Sequence, residues 1–439
     1  MDWKYVHTLT KFTFSDHEIT LLNQHVDSYL ISLITGLQQQ SFGFDTVTEV
    51  AKRIRGLRAR FGQDKEWFID SGGYSIIVGD IHPRDMTKCI QCYNYYLETF
   101  AEKDCDKIFS LDIPILLKYP EYNTVQYIKE QNYKSGVMSK EILDSNKSLY
   151  EKFMFIWQFK TLNQYKIWKE YYNDIYADTT ELHNFGIGGQ VGLRQAAGID
   201  FSPFTALTYK LIQLIREKNL NKKSTIHMLG IYSYPDRFLM AFFQKLFNQV
   251  YFKDLAPSVE ITFDTVHHTI QGHFRGQTMT PFILDENNNV HNKFIPDLVD
   301  KLDNIIHDPD VLNAVLKQVE KIKNGERLTD PHLIATLEVI KHSQIDKVID
   351  MVLDQYNFID LFVQSGNFNK FKNKATAIFQ TLEQKYPIAF KNRTAQNLLN
   401  FQYVYPLHNW FVNSGDLSKF EPMMETFIRH INFPFDLKE

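Results

Sequence analysis

The sequence predicts an α/β fold, a (β/α)8 TIM-like barrel with an added α-helical C-terminal region. Three observations carry this. Short apolar runs recur along the first part of the chain, each closed by an acid, an amide or glycine. Between them lie stretches whose apolar residues return every three or four positions. Beyond Asn287-Asn288-Asn289, a polar turn, amphipathic helical stretches take over. Strand alternating with helix argues for a parallel sheet, and the spacing fits βα units of a barrel of about 250 residues. A doubly wound open sheet is the alternative. Its dinucleotide-binding form fits poorly, because GIGGQVG at 186–192 does not match G-x-G-x-x-G and lies mid-chain.

In chain order the strand candidates are YLISLI (29–34), WFID (67–70), KIFSLDIP (107–114), FMFIWQF (153–159), FGIGGQ (185–190), IHMLGI (226–231) and VEITFDT (259–265). Helices are expected over RDMTKCIQCYNYYLETFAE (84–102), PFTALTYKLIQLIREKN (203–219) and PDRFLMAFFQKLFNQ (235–249), the last opening on Pro235-Asp236. DPDVLNAVLKQVEKIKNG (308–325), DPHLIATLEVIKHS (330–343) and QIDKVIDMVLDQYNFIDLFVQ (344–364) make up the C-terminal helical pattern. The barrel domain is therefore placed at 1–289 and the helical region at 290–439, completing or flanking the barrel.

Composition narrows the classes. Apolar residues are 44 % of the 439, enough for a large core, and a net charge of −4 excludes a diffuse basic coat. Any nucleic-acid contact then comes from a local patch. Cys89, Cys92 and Cys105 are too few for a disulfide framework. The start MDWKYVHTLTKF lacks a signal-peptide core, and no run reaches the ~20 apolar residues of a membrane span. A soluble, cytoplasmic protein is expected.

In a parallel barrel, chemistry collects at the C-terminal strand ends. Asp70, Asp112, Gln158, Gly188-Gly189, His227 to Gly230 and Asp264 stand there. One acid can serve as base and another as nucleophile, while an amide and a third acid can read the polar edge of a purine. Each also has a plain structural reading: Asp70 as a turn acid, Asp112 as a turn residue, Gln158 as a satisfied buried amide, Asp264 as a helix cap and the glycines as a tight turn. Their convergence on one mouth favours function.

These residues resemble the tRNA-guanine transglycosylase (queuine tRNA-ribosyltransferase) superfamily. DSGGYS at 70–75 is similar to that family's DSGGFQ, and SLDIP at 110–114 to its strand-end aspartate segment. FIWQF (155–159), GIGGQVG (186–192), HMLGIYSYPD (227–236) and ITFDTV (261–266) resemble its V-Q-G-G, G-G-L-A-V-G, Y-L-M-G-V-G-x-P-x-D and M-F-D-C-V segments, in the family's order. The resemblance implies Asp264 as nucleophile at C1′ of a guanosine and Asp70 as the group that handles protons on the bases. It implies Asp112 and Gln158 at the base edge, Gly188 and Gly189 offering backbone, Leu229 and Gly230 at the base face, and Ser71, Gly72 and Tyr74 around the bound base.

There are departures. The family's zinc motif, C-x-C-x-x-C with a later histidine, has no counterpart, since no cysteine follows Cys105. No cofactor is therefore expected. Cys89 and Cys92 form a C-x-x-C inside a predicted helix, which suits packing better than zinc. HHTIQGHFRG (267–276) stands where the family has T-R-x-G-R. There His267, His268 and His273 bind a metal, line a substrate groove with Arg275, or are ordinary loop residues. Phe159-Lys160 replaces a glycine pair, so Lys160 can meet a phosphate. These losses resemble the divergent phage-type branch that inserts 7-deazaguanine bases into DNA. The expected partners are nucleic acid (DNA favoured, tRNA possible) and a 7-deazaguanine base such as preQ0 or preQ1. A homodimer or accessory protein is possible, and the location is the host cytoplasm if the protein is viral. Tyr74, Tyr232 and Tyr234 are candidates to hold a flipped base. FNKFKNKATAIF (368–379) either tracks phosphates or is a solvated lysine face over core phenylalanines. A non-catalytic partner subunit and an unrelated barrel hydrolase are the competing classes.

Overall fold

The computed structural model describes residues 3–38, 42–159, 162–188, 224–253, 259–270, 283–284, 290–291, 302–326, 330–409, 412 and 437–438. Eight parallel strands close into a barrel: β1 Lys4–Leu9, β2 Ser28–Ser32, β3 Glu66–Asp70, β4 Lys107–Phe109, β5 Phe153–Gln158, β6 Asn184–Gly188, β7 Thr225–Met228 and β8 Glu260–Thr265. Each pairs with the next, and β8 pairs back onto β1. The seven expected runs each contribute a strand, and the eighth is KYVHTL near the N-terminus. Lys4, His7 and Thr8 hide its apolar pattern. KIFSLDIP supplies only three strand residues, and the end of YLISLI turns into the helix Leu33–Gln38. The expected helix at 203–219 and the turn at 287–289 lie outside the described residues.

Period-two alternation sorts the strand residues into tiers inside the barrel. The bottom tier is polar: Lys4 pairs with Glu66 at 2.7 Å, and Lys107 donates to Asn184 Oδ1 at 3.2 Å. The middle tier is apolar, with Val6, Leu30, Phe68, Phe109, Met154 and Ile156 forming one buried cluster. The top tier is polar again and includes Thr8, Ser32, Asp70, Gln158, Gly188 and Asp264. The intervening residues, such as Tyr29, Trp67, Phe155, Ile187 and Phe263, face outward into the core shared with the surrounding helices.

The C-terminal helices begin where aspartate-proline pairs predict. Asp308 caps Pro309–Lys323, accepting from Asp310 N and Val311 N, and Asp330 caps Pro331–Gln355 in the same way. The stretches at 330–343 and 344–355 form one continuous helix. This region packs on the barrel through the helix Tyr234–Leu246. Phe238 meets Phe358, Phe379 and Phe390, and Phe242 meets Phe362 and Phe401. Arg237, fully buried, pairs with Asp346 at 2.7 Å, and its guanidinium lies 4.8 Å from the Phe263 ring centre. In the helix Phe368–Lys385 the phenylalanines 371 and 379 are buried and the lysines 370, 372 and 374 exposed, the arrangement of a solvated lysine face. Among the described residues, no helix is long and apolar enough to cross a membrane.

Candidate active site at the barrel mouth

Register places the polar strand ends side by side. Ser32 pairs with Asp70 and Gln158 with Gly188, while Asp264 pairs with Val6, one tier lower because the strands tilt across the barrel. Thr8, two residues beyond Val6, also points inward, and its hydroxyl donates to Asp264 Oδ2 at 2.9 Å. Asp264 Oδ1 accepts from the Gly230 backbone N–H at 2.9 Å and lies 3.2 Å from His227 Nε2. With the proton on Nε2, His227 donates to Asp264 while its Nδ1 accepts from the Thr262 hydroxyl at 2.8 Å. The imidazole is fully buried against Phe68 and Phe109, which fixes its plane. Asp264 is thus a buried carboxylate held at fixed orientation by donors from β1, from β7 and from the turn that follows β7.

Asp70 faces it across the mouth. Its carboxylate accepts from the N–H groups of Gly72 and Ser71 and from the Ser32 side chain. Burial outweighs these bonds and, with the nearby Asp264 charge, pushes its pKa up to about 6. Asp112 is 4 % exposed, and burial together with the Asp70 charge pushes it to about 8. The loop carrying Asp112 is pinned by Asn132, whose side chain accepts from Ile113 N and donates to Ile113 O.

The two glycines after Asp70 have separate reasons. Gly72 sits at φ +93, and a Cβ there would lie 2.5 Å from Ile34 Cβ. That conformation aims its N–H at Asp70. Gly73 passes close to Asp112, where a Cβ would stand 3.3 Å from Oδ1. Gly72→Ala is therefore expected to cost about 2–4 kcal/mol through strain and overpacking, read as a lowered urea midpoint. An unchanged midpoint would refute the turn's role. Gly188 lets the Gln158 amide lie against its backbone: a Cβ there would stand 1.5 Å from Gln158 Oε1 and turn that side chain aside. Gln158 also borders a crevice walled by Ile77, Ile115, Leu117 and Phe159.

Leu229 packs on the apolar tier and forms the floor of the mouth. Ser71 is buried, whereas Tyr74 is 72 % exposed. Tyr232, also exposed, stacks on His267 with ring centres 4.0 Å apart. Tyr234 instead packs beside His342. His268 departs from the groove reading. It is 1 % exposed, walled in by Tyr5 and His342, and presents no face to solvent. Gly189, Lys160, His273 and Arg275 lie outside the described residues. Cys89, Cys92 and Cys105 are free and buried, and none of them belongs to the group of converging metal-ligand side chains found among the described residues. Thr8 and His227 are mouth residues for which no role is expected from sequence. His227 belongs to the strand-end run 226–231, whereas Thr8 lies on β1, whose polar residues mask it as a strand. Neither the family models nor the curated protein sequences contain a match to this chain.

Proposed function

We propose that the chain is a base-exchanging pentosyltransferase that replaces guanine in a nucleic acid, DNA favoured, with a 7-deazaguanine base. The observation that carries this reading is the pairing of an oriented carboxylate, Asp264, with two acids of raised pKa at the same mouth. Among the described residues Asp264 Oδ2 accepts only from Thr8, whereas Oδ1 meets both Gly230 N–H and His227, which makes Oδ2 the freer oxygen to attack C1′. The glycosidic C–N bond breaks, its electron pair goes to the departing guanine, and Asp70 in its acid form supplies the proton. The sugar is then held as an ester of Asp264. The incoming base gives its ring N–H proton to the Asp70 carboxylate as its nitrogen attacks C1′, and Asp264 leaves as carboxylate. A group titrating near 6 can serve in both directions at neutral pH.

Asp112, neutral below about pH 8, offers one O–H donor and one carbonyl acceptor. Gln158 offers the same pair from its amide. Together they complement a lactam edge, which carries an N–H beside a C=O. The resemblance of DSGGYS and ITFDTV to the transglycosylase motifs supports the same assignment. For duplex DNA the target base must leave the stack, and the exposed Tyr74 and Tyr232 are the rings available to receive it.

The test offers labelled guanine and labelled preQ0 or preQ1 to duplex DNA and bulk tRNA in parallel. Label entering DNA supports the proposal in full. Label entering tRNA alone keeps the chemistry and overturns the polymer. Release of guanine without label uptake identifies a hydrolase, and no reaction with either polymer overturns the enzyme reading.

A further inference from the structure

Behind the mouth, outside the arrangement used above, His268, Glu338 and His342 converge. His268 stands in the short helix that follows β8, and Glu338 and His342 are one turn apart on Pro331–Gln355. One ligand atom from each lies within 4.8 Å of the others, and His342 Nε2 is 3.8 Å from Glu338 Oε2. An i, i+4 pair puts both side chains on one helix face, the spacing used by helical metal sites. Glu338 is 9 % exposed and His342 5 %.

The hydrogen-bond accounting supplies a second observation. Both ring nitrogens of His268 and Nδ1 of His342 are buried with no partner among the described residues. A buried imidazole with two unpaired nitrogens is costly, and packing offers no compensation for it. Burial and the neighbouring Arg237 hold His268 well below its usual pKa, and burial with the His268 ring does the same to His342. Among the described residues the charged groups facing the cluster are Arg237, already balanced by Asp346, and Lys341, which lies 3.4 Å from Glu338 Oε2, with the His7 and His267 rings nearby.

We propose that His268, Glu338 and His342 form a binding site for a divalent transition metal of the zinc class. Two imidazoles and a carboxylate are a borderline N/O set suited to such an ion. Ligand atoms about 3.3 Å apart make a tetrahedral site, so a small closing of the three side chains completes it. The ion takes the place of Lys341 on the Glu338 carboxylate and gives one ring nitrogen of each histidine a partner. It ties the segment that follows Asp264 to the helix Pro331–Gln355.

The test uses untagged full-length protein, stripped with chelator, then titrated with Co2+ and, in competition with a chromophoric chelator, with Zn2+. One ion per chain with the visible absorption of tetrahedral Co2+ is expected. His268→Ala and His342→Ala each weaken binding by about 100-fold or more, while His307→Ala, at an exposed histidine elsewhere, binds as wild type. Glu338→Gln keeps size and shape, so it tests the site even if an alanine variant fails to fold. Its binding should fall at least about tenfold. Absence of stoichiometric binding to the wild type overturns the proposal, as does undiminished binding by the folded Glu338→Gln and histidine variants. The readout is the ion itself, so it does not depend on the activity proposed above.

Discussion

Asp264→Asn is expected to abolish base exchange, by about 10⁴-fold or more, while leaving the fold and its stability nearly intact. The reason lies in how the carboxylate is held. Asparagine keeps one oxygen to accept from Gly230 N and is close in size to aspartate, so the buried donors are largely satisfied. What it loses is the anionic oxygen that attacks C1′. Asp264→Ala should be as inactive but less stable. It strands the Thr8 hydroxyl, the Gly230 N–H and the His227 ring, and each unpaired buried donor costs about 1–3 kcal/mol. Incorporation of labelled base, measured beside urea midpoints for both variants, separates chemistry from structure. Exchange retained in Asp264→Asn would remove the nucleophile assignment.

That asymmetry shows where sequence reasoning reached and where it stopped. Asp70, Gln158 and Asp264 are legible because each ends an apolar run, and a strand tip is where a parallel barrel exposes polar groups. The barrel itself was legible for the same reason, since strands buried on both faces read as nearly unbroken apolar runs. KYVHTL escaped because a barrel's first tier can be ionic. Lys4 points inward to Glu66, and Thr8 points inward to Asp264, so polarity on that strand marks interior rather than loop. The orientation of Asp264 depends on β8 closing onto β1 and on β7 pairing with β8. Those are register facts, and no local pattern encodes them. His268 shows the same limit. Beside His267 it looks like a surface loop residue, and only the packing of Pro331–Gln355 brings Glu338 and His342 to it.

Asp112→Asn is expected to stabilise the protein at alkaline pH and to extend base binding there. An aspartate in the unfolded chain titrates near 3.9, roughly the ordinary value, whereas burial and the Asp70 charge put Asp112 at about 8 in the fold. Between those values the folded state holds a proton that the unfolded state has released. Stability therefore falls as pH rises from about 4 to about 8, and above that it levels at its lowest. Asparagine removes this slope. Wild type and variant should have similar urea midpoints near pH 4, and the variant should gain a few kcal/mol by pH 9. The same substitution tests recognition. A neutral Asp112 presents a donor beside an acceptor, and the asparagine amide presents the same pair at every pH. Base binding by the wild type should weaken as Asp112 ionises above about pH 8, while the variant holds its affinity. Asp70, at about 6, loses its proton first and is the acid free to cycle. Burial thus divides two neighbouring carboxyls into one that exchanges protons and one that reads the base. Parallel stability curves, or equal loss of base binding in both proteins at pH 9, would show that Asp112 is ionised in the fold and would return both roles to Gln158 and Asp70.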